Sequence, residues 1–311
     1  MSELAERLER GDIIILDGAI STEYEHHGVK MDDIAWSGFV NMTHPDIVRA
    51  VHVDYIKAGA DVITTNTFGA ARHVLDVAGR GDEAAAINRR AVELAREAQE
   101  EAADRPVWIA GSMSSMDDLR IKTTPTGERA KTSYAEQAQV LAEAGVDLIL
   151  AEMMLDIENA TIVLEAAGAT GLPIWVGYSA EFGPDGKSVV QWRENEYTDL
   201  PGGDFANLVE AIAPLGGQAA GVMHSYPNVT GPALKILREH WSGPMMVYAE
   251  SGRFLNPDWD FTAVAAPDEY LAMVREWVDI GAQIVGGCCG LGPEHIRRLK
   301  EKLPPRLPRA A

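Results

Sequence analysis

Residues 58–63 read Ala-Gly-Ala-Asp-Val-Ile, and residues 144–149 read Ala-Gly-Val-Asp-Leu-Ile. A looser copy, Ile-Gly-Ala-Gln-Ile-Val, occupies residues 280–285. In each copy a helical pattern ends at a glycine, a common residue just past the last helical turn, and an apolar strand pattern follows at once. The repeated joint predicts a chain in which helices and strands alternate.

Short apolar runs, each closed by a polar or small residue and followed by a helical pattern, extend this alternation along the chain. They occupy residues 13–16, 62–65, 107–110, 148–151, 174–176, 220–223, 245–247 and 284–285. Eight strands close a (β/α)8 TIM barrel, in which side chains at the C-terminal strand ends converge on one mouth. A doubly wound open sheet is the alternative, but no Gly-x-Gly-x-x-Gly turn follows the first strand. We predict an α/β fold with a single barrel domain over residues 1–311, including an N-terminal helix at 1–11 and a Pro/Arg tail at 304–311.

The charge balance restricts the partners. Among 311 residues, 47 are acidic and 27 basic, giving a net charge of −20, which disfavours nucleic acid and anionic membranes as partners. No apolar run approaches the ~20 residues of a membrane span, and the acidic N-terminus does not read as a signal peptide. With two cysteines and no export signal, we expect a reducing cytoplasm. A homo-oligomer is neither indicated nor excluded by the sequence.

The two cysteines stand side by side after the last predicted strand, in Gly-Gly-Cys-Cys-Gly at residues 286–290. A disulfide between them is disfavoured, because neighbouring Cα atoms lie ~3.8 Å apart whereas disulfides usually need about 4.4 to 6.8 Å. A catalytic zinc ion takes three protein ligands and leaves one position open. We therefore predict a zinc site formed by Cys288, Cys289 and His224, which ends the sixth strand. The simpler alternatives are a hydrogen-bonded histidine and two small buried thiols.

Carboxylates end two further strands. Asp17 and Glu152 are predicted to bind a substrate ammonium group, the alternative being that they cap nearby loop amides. Aromatic side chains in the same loops could form a cage for a sulfonium or quaternary ammonium ion, and the candidates are Trp36, Phe68, Tyr178 and Tyr248. The complete set of other predicted substrate-binding residues is Trp36, Asn66, Thr67, Phe68, Ser112, Ser179 and Tyr248.

These segments resemble the motifs of the homocysteine S-methyltransferase family, which includes betaine- and S-methylmethionine-dependent enzymes. Residues 15–23, ILDGAISTE, resemble its opening Leu-Asp-Gly-Gly-x-Gly-Thr-Glu, and residues 65–70, TNTFGA, match its second-strand motif. Residues 151–152 resemble its fourth-strand glutamate, and residues 284–296, IVGGCCGLGPEHI, are similar to its C-terminal signature. The resemblance implies a zinc-bound homocysteine thiolate, with Asp17 and Glu152 near its amino group, that takes a methyl group from a cationic donor and gives methionine.

Three segments depart from the family pattern. Residues 221–225 read GVMHS where the family has Gly-Val-Asn-Cys, with that cysteine as first zinc ligand. Ser-Ser at 114–115 replaces Gly-Pro, and residues 248–252 read YAESG in place of Tyr-Pro-Asn-Ser-Gly.

These departures leave the substrate pair open. A His-Cys-Cys site carries one negative charge fewer than three thiolates, so we expect easier thiol ionisation and a less nucleophilic sulfur. One alternative is a methyltransferase that uses another onium donor, or another thiol or selenol acceptor. The other is a protein that binds zinc or a ligand without catalysing a reaction. A phosphate-binding barrel is disfavoured, because the two cysteines stand where its glycines would bind phosphate.

Overall fold

The computed structural model describes residues 2–115, 127–191, 203–255 and 258–308. Parallel strands form the centre of the molecule, and in chain order they are β1 (Ile14–Ile15), β2 (Val62–Thr64), β3 (Trp108–Ser114), β4 (Leu148–Met154), β5 (Ile174–Tyr178), β6 (Ala219–Met223), β7 (Met245–Tyr248) and β8 (Ala282–Val285). Their order in the sheet is β1-β8-β7-β6-β5-β4-β3-β2. Each strand therefore lies beside its sequence neighbours, apart from the junction of β1 with β8.

The sheet closes on itself between β1 and β2. Leu16 forms a parallel bridge with Val62, and the backbone N–H of Asp17 donates to the carbonyl of Val62 at 3.0 Å. The prediction of a (β/α)8 barrel is thereby confirmed, and the open sheet is excluded.

Helices surround the barrel: α1 (Glu3–Glu9), α2 (Ser21–His26), α3 (Val40–Thr43), α4 (Pro45–Ala58), α5 (Arg72–Val77), α6 (Ala84–Ala102), α7 (Gly127–Ala144), α8 (Ile157–Gly168), α9 (Phe205–Ile212), α10 (Pro227–His240), α11 (Pro267–Ile280) and α12 (Pro293–Lys302). Proline begins several of them, where its missing N–H costs no helical hydrogen bond. Among the described helices, none is long and apolar enough to cross a membrane.

The repeated joint has a physical basis. Gly59 has φ +111° at the end of α4, a left-handed conformation that glycine adopts without a Cβ clash. The aspartate within each of the first two joints accepts a hydrogen bond from a backbone N–H of the preceding barrel strand: Asp61 from Ile15 at 2.9 Å, and Asp147 from Ile109 at 2.8 Å. The joint thus ends a helix and ties the new strand to its neighbour.

Helix α1 covers the N-terminal end of the barrel. Leu4 and Leu8 pack with residues of the barrel interior, including Trp175, and the Arg7 guanidinium lies 3.1 Å from the carboxylate of Asp61. Helix α1 thus closes this end of the barrel, whereas a cavity opens at the opposite end.

Several further elements lie in the segments that follow barrel strands. Residues 18–42 contain α2 and part of α3, and Ala180–Phe182 pairs with Val189–Gln191 in an antiparallel ribbon. A second ribbon pairs Arg253–Leu255 with Asp258–Asp260. Of the predicted tail at 304–311, residues 309–311 lie outside the described ranges. The part before them packs on the barrel, where Pro305 accepts the N–H of Ile13 at 2.9 Å.

Candidate active site and metal centre

A cavity of about 170 Å³ opens at the C-terminal ends of the strands. Nearly all the predicted site residues line it, from seven of the eight strand ends: Asp17, Trp36, Asn66, Phe68, Ser112, Glu152, His224, Tyr248, Cys288 and Cys289. Thr67 and Ser179 do not contribute to the lining. The barrel therefore brings together side chains that are more than 250 residues apart in the sequence.

His224, at the end of β6, faces the cysteine pair that follows β8. Its Nδ1 lies 3.5 Å from Sγ of Cys288 and 3.9 Å from Sγ of Cys289, and the two sulfurs are 3.9 Å apart. Within the described ranges, this is the one group of three or more His, Cys, Asp or Glu side chains that converges closely enough to hold a metal ion.

The spacing of these three atoms fits tetrahedral coordination. A zinc ion about 2.3 Å from sulfur and about 2.0 Å from nitrogen separates two sulfurs by about 3.8 Å, and sulfur from nitrogen by about 3.5 Å. The three observed separations lie within about 0.4 Å of those values. The donor set is therefore spaced for a small, thiophilic metal ion, with room in the cavity for a fourth ligand.

Backbone hydrogen bonds hold the two ligand segments in place. His224 donates its N–H to Tyr248 at 3.2 Å, and Cys288 donates to Ala249 at 2.9 Å. Gly290 has φ +81°, and a Cβ there would lie 1.9 Å from the carbonyl oxygen of Ser251. The close approach of these loops thus requires glycine after the cysteine pair.

Strained backbone is concentrated at the cavity. Within the described part of the chain, the non-glycine residues with positive φ are Trp36 at 50°, Met153 at 55° and His224 at 42°, and all three line the cavity. Such conformations cost of order 1–3 kcal/mol each and persist where the surrounding contacts impose them, as at active sites.

The two thiols differ in acidity. The hydrogen bond between the sulfurs holds the pKa of Cys288 well below its usual range, with a further contribution from His224, and correspondingly raises the pKa of Cys289. A thiolate is the metal-binding form of cysteine, so Cys288 is prepared to bind a cation.

The two carboxylates are buried and hydrogen-bonded. Asp17 accepts from the backbone N–H of Thr64 at 2.6 Å and from its hydroxyl at 2.9 Å, but burial raises the pKa of Asp17 to about 7. Glu152 accepts from the hydroxyls of Ser112 and Tyr248, and burial raises the pKa of Glu152 to about 8 despite these bonds. Both groups would therefore gain from a cationic partner in the cavity.

Three of the predicted polar residues brace the wall. The amide of Asn66 accepts from Ser37 Oγ at 2.7 Å and donates to Asn41 Oδ1 at 3.0 Å. Thr67 donates to the carbonyl of Ser112 at 2.7 Å, and Ser179 donates to Sδ of Met223 at 3.2 Å. The hydroxyls of Thr67 and Ser179 thus point into the wall and away from the cavity.

The aromatic and thioether side chains form the remaining lining. Trp36, Phe68 and Tyr248 line the cavity together with Met153 and Met223. Tyr178 is instead fully buried, with its ring edge-to-face against Phe205 at 6.2 Å between centroids, so it is not part of the cavity lining.

Sequence reasoning did not single out Glu250 and Met223 as site residues. Glu250 is 2% exposed, and its Oε2 lies 3.2 Å from Nδ1 of His224. Glu250 comes after the apolar strand β7, just as Asp17 and Glu152 come at the ends of apolar strands. The same sequence pattern, a carboxylate at the end of an apolar run, could therefore have identified it. Sδ of Met223 accepts hydrogen bonds from the backbone N–H of Met153 at 3.3 Å and from the hydroxyl of Ser179. No pattern in the sequence predicts these two contacts.

Comparison with known proteins adds an independent line of evidence. The sequence profile described as homocysteine S-methyltransferase matches residues 14–303. Homocysteine S-methyltransferase 2 of Arabidopsis thaliana is 27% identical over 95% of this chain and 94% of its own length. The selenocysteine Se-methyltransferase of Brassica oleracea var. italica is 28% identical over 95% of this chain and 90% of its own length. Betaine–homocysteine S-methyltransferase 1 of Bos taurus is 28% identical over 97% of this chain and 75% of its own length.

A solved structure extends the similarity to three dimensions. The metallated form of the homocysteine methyltransferase MmuM from Escherichia coli superposes with a TM-score of 0.77 at 25% identity. The match covers 97% of this chain and 100% of that one. The similarity therefore extends over nearly the whole chain.

Proposed function

Because this chain belongs to the homocysteine S-methyltransferase family, we propose that it transfers a methyl group from a sulfonium or quaternary ammonium donor to the thiolate of homocysteine, giving methionine. One observation carries the proposal: His224, Cys288 and Cys289 have the spacing of a tetrahedral metal site on the wall of a cavity that also holds Asp17 and Glu152. A thiol-binding centre and an ammonium-binding centre thus share one cavity.

We assign the metal as zinc, held by Nδ1 of His224 and the sulfurs of Cys288 and Cys289. Two thiolates and an imidazole are typical zinc ligands, and they leave the fourth position for a substrate. When bound, zinc supplies the Lewis acidity that ionises the acceptor thiol at neutral pH.

Asp17 and Glu152 bind the ammonium group of the acceptor. A cation beside these buried carboxylates replaces the water they have lost and favours their charged forms. Ser112 and Tyr248 hold Glu152 by hydrogen bonds, and Thr64 holds Asp17, so the position of the ammonium group is set by the barrel and not by mobile side chains.

Trp36, Phe68 and Tyr248 face the donor. Aromatic faces attract onium ions and exclude water from the reaction. In the transfer, the thiolate sulfur forms a bond to the methyl carbon as the bond from that carbon to the donor heteroatom breaks. The electron pair stays on the donor, which loses its positive charge.

A donor panel tests the proposal. Zinc-reconstituted protein is incubated with homocysteine labelled with 13C in its carbon chain and either S-methylmethionine, betaine or dimethylsulfonioacetate, and 13C-labelled methionine is measured by mass spectrometry. We expect labelled methionine with at least one donor, and its loss in Cys288→Ser. Absence of labelled methionine with every donor would contradict homocysteine methylation.

Selenocysteine is the second acceptor to include, because one relative is named a selenocysteine Se-methyltransferase. Methylation of selenocysteine but not of homocysteine would change the acceptor and keep the reaction class. If the zinc-loaded protein binds homocysteine but turns over no donor, it is a ligand-binding protein and not an enzyme. Both cysteines must stay reduced to bind zinc, so we further propose a reducing compartment such as the cytoplasm.

A further inference from the structure

The turn at residues 65–70, which follows β2, places Phe68 on the wall of the cavity. The turn belongs to no helix or strand, so its carbonyl groups need other partners. Buried side chains from α3, α7, β3 and α6 supply these partners. The pairs are Asn41 with the carbonyl of Asn66 at 2.8 Å, Gln137 with Thr67 at 2.9 Å, Ser114 with Phe68 at 2.8 Å and Asn88 with Ala70 at 2.7 Å.

Two of these side chains, Asn88 and Gln137, are bonded to each other. Nδ2 of Asn88 donates to the carbonyls of Ala70 at 2.7 Å and Ala84 at 2.8 Å. Its Oδ1 accepts from Nε2 of Gln137 at 3.2 Å, and the same Nε2 donates to the carbonyl of Thr67 at 2.9 Å. Turning either amide over would place its oxygen against a carbonyl oxygen, so both amide orientations are fixed.

The side-chain oxygen of Gln137 makes this residue costly to bury. Within the part of the chain that the structure describes, Oε1 is buried and has no hydrogen-bond partner, a cost that an apolar side chain of similar length would avoid. The amide nitrogen of the same side chain donates to Thr67 and to Asn88. What the glutamine contributes is therefore its hold on the turn.

Phe68 lies between the two anchored carbonyls of Thr67 and Ala70. Its own carbonyl accepts from Ser114, and the hydroxyl of Thr67 donates to Ser112 inside the wall. Because the backbone is held on both sides, the direction in which the Phe68 side chain leaves the turn is set before any ligand arrives. An aromatic ring that is already in place attracts an onium ion without the entropy cost of ordering the ring.

We propose that Asn88 and Gln137 are positioning residues, which hold the turn at residues 65–70 so that the ring of Phe68 forms a fixed wall for the onium donor. They act through the turn, since neither of them lines the cavity. The role toward the donor rests on the proposed function, whereas the hold on the turn does not. Loss of the Gln137 amide should therefore loosen the turn and weaken the use of the donor, and it should leave the acceptor site intact.

Amide hydrogen exchange, followed by mass spectrometry of peptides that cover the turn, measures the hold directly. The N–H groups of Thr67 and Ala70 donate within the turn. Gln137→Met keeps the length of the side chain and removes its N–H donors. We expect this variant to speed exchange in the turn by about tenfold, because local opening becomes easier when buried hydrogen bonds are lost.

Gln283→Met is the matched control. Gln283 is also buried, and its Nε2 donates to the carbonyls of Leu8 at 2.8 Å and Asp12 at 3.0 Å, at the end of the barrel that α1 covers. The control variant thus loses the same kind of contacts far from the turn. Exchange in the turn should stay within about twofold of the wild type.

Steady-state kinetics of the zinc-reconstituted proteins test the consequence for the donor. Gln137→Met should raise KM for the donor by about tenfold, which is the order of a contact between an onium ion and an aromatic ring. KM for homocysteine should change by less than about threefold, and Gln283→Met should match the wild type for both substrates. In a Phe68→Ala background the ring is absent, so Gln137→Met should change KM for the donor by less than about threefold.

Two results would overturn the proposal: unchanged exchange of the turn in Gln137→Met, or a KM for the donor that does not rise or that rises equally with and without the Phe68 ring. If Gln137→Met does not fold, as judged by circular dichroism, Ser114→Ala removes the donor to the Phe68 carbonyl. Unchanged exchange and unchanged KM for the donor in that variant would overturn the proposal instead. A wild-type protein that methylates nothing would refute the proposed function, and exchange of the turn would then decide this inference alone.

Discussion

The hydroxyl of Tyr248 donates to Oε1 of Glu152 at 3.1 Å, a contact that crosses the mouth of the barrel from β7 to β4. Ser112 donates to the other carboxylate oxygen of the same residue. Even with both bonds, burial keeps the pKa of Glu152 at about 8. Glu152 is thus a largely protonated carboxyl near neutral pH, which a cationic ligand would ionise.

We predict that binding of an amino-acid ligand releases protons and strengthens with rising pH. The pKa values of Asp17 and Glu152 are raised to about 7 and about 8, so both are mainly protonated at pH 6. An ammonium group lowers both pKa values, and each proton released gives up to about a tenfold gain in affinity per pH unit. The gain should level off above pH 8.

Methionine suits this measurement, because it carries the ammonium group but no thiol whose ionisation would interfere. Calorimetry in two buffers of different ionisation enthalpy counts the protons released, and Glu152→Gln should release fewer. A dissociation constant that is independent of pH from 6 to 8 would show that these carboxyls do not bind the ammonium group.

Ser179 and Ser112 should respond differently to removal of the hydroxyl. Ser179 donates to the thioether of Met223 inside the wall, so Ser179→Ala should cost about 1 kcal/mol of stability and change kcat/KM by less than about tenfold. Ser112→Ala removes a donor to Glu152 and should mainly raise KM for the acceptor. Denaturant unfolding and steady-state kinetics of both variants check this, and a larger kinetic loss for Ser179→Ala would contradict the assignment.

Gly290→Ala should destabilise the fold more than alanine at another left-handed glycine. A Cβ at Gly290 meets the Ser251 carbonyl at 1.9 Å, whereas at Gly186, with φ +65°, it meets nothing within 4 Å. We expect a loss of about 1 kcal/mol for Gly186→Ala, from backbone conformation alone, and at least about 2 kcal/mol for Gly290→Ala. Urea unfolding of the zinc-free proteins measures both, and equal losses would show that the loop at residue 290 can move aside.

The barrel could be predicted from the sequence because its signals are local and repeated. Apolar runs and glycine joints locate the strands, and closure then places all strand ends at one mouth. This is why His224 could be grouped with Cys288 and Cys289, although 63 residues separate His224 from the pair.

The orientation of individual side chains could not be predicted. Beyond a strand end the alternation of inward and outward side chains is lost, so Thr67 and Ser179 face the wall while Phe68 faces the cavity. In β4 the register shifts between Ala151 and Met154, beside Glu152. These details depend on contacts between distant loops, which one sequence does not specify.

Zinc K-edge X-ray absorption, with and without homocysteine, tests the central claim most directly. The site of His224, Cys288 and Cys289 offers two sulfurs and one nitrogen, so we predict two zinc–sulfur bonds in the free protein and one more on adding homocysteine. In His224→Ala the nitrogen scattering of imidazole should disappear. A sulfur count that does not rise with homocysteine, or imidazole scattering that persists in His224→Ala, would contradict the account.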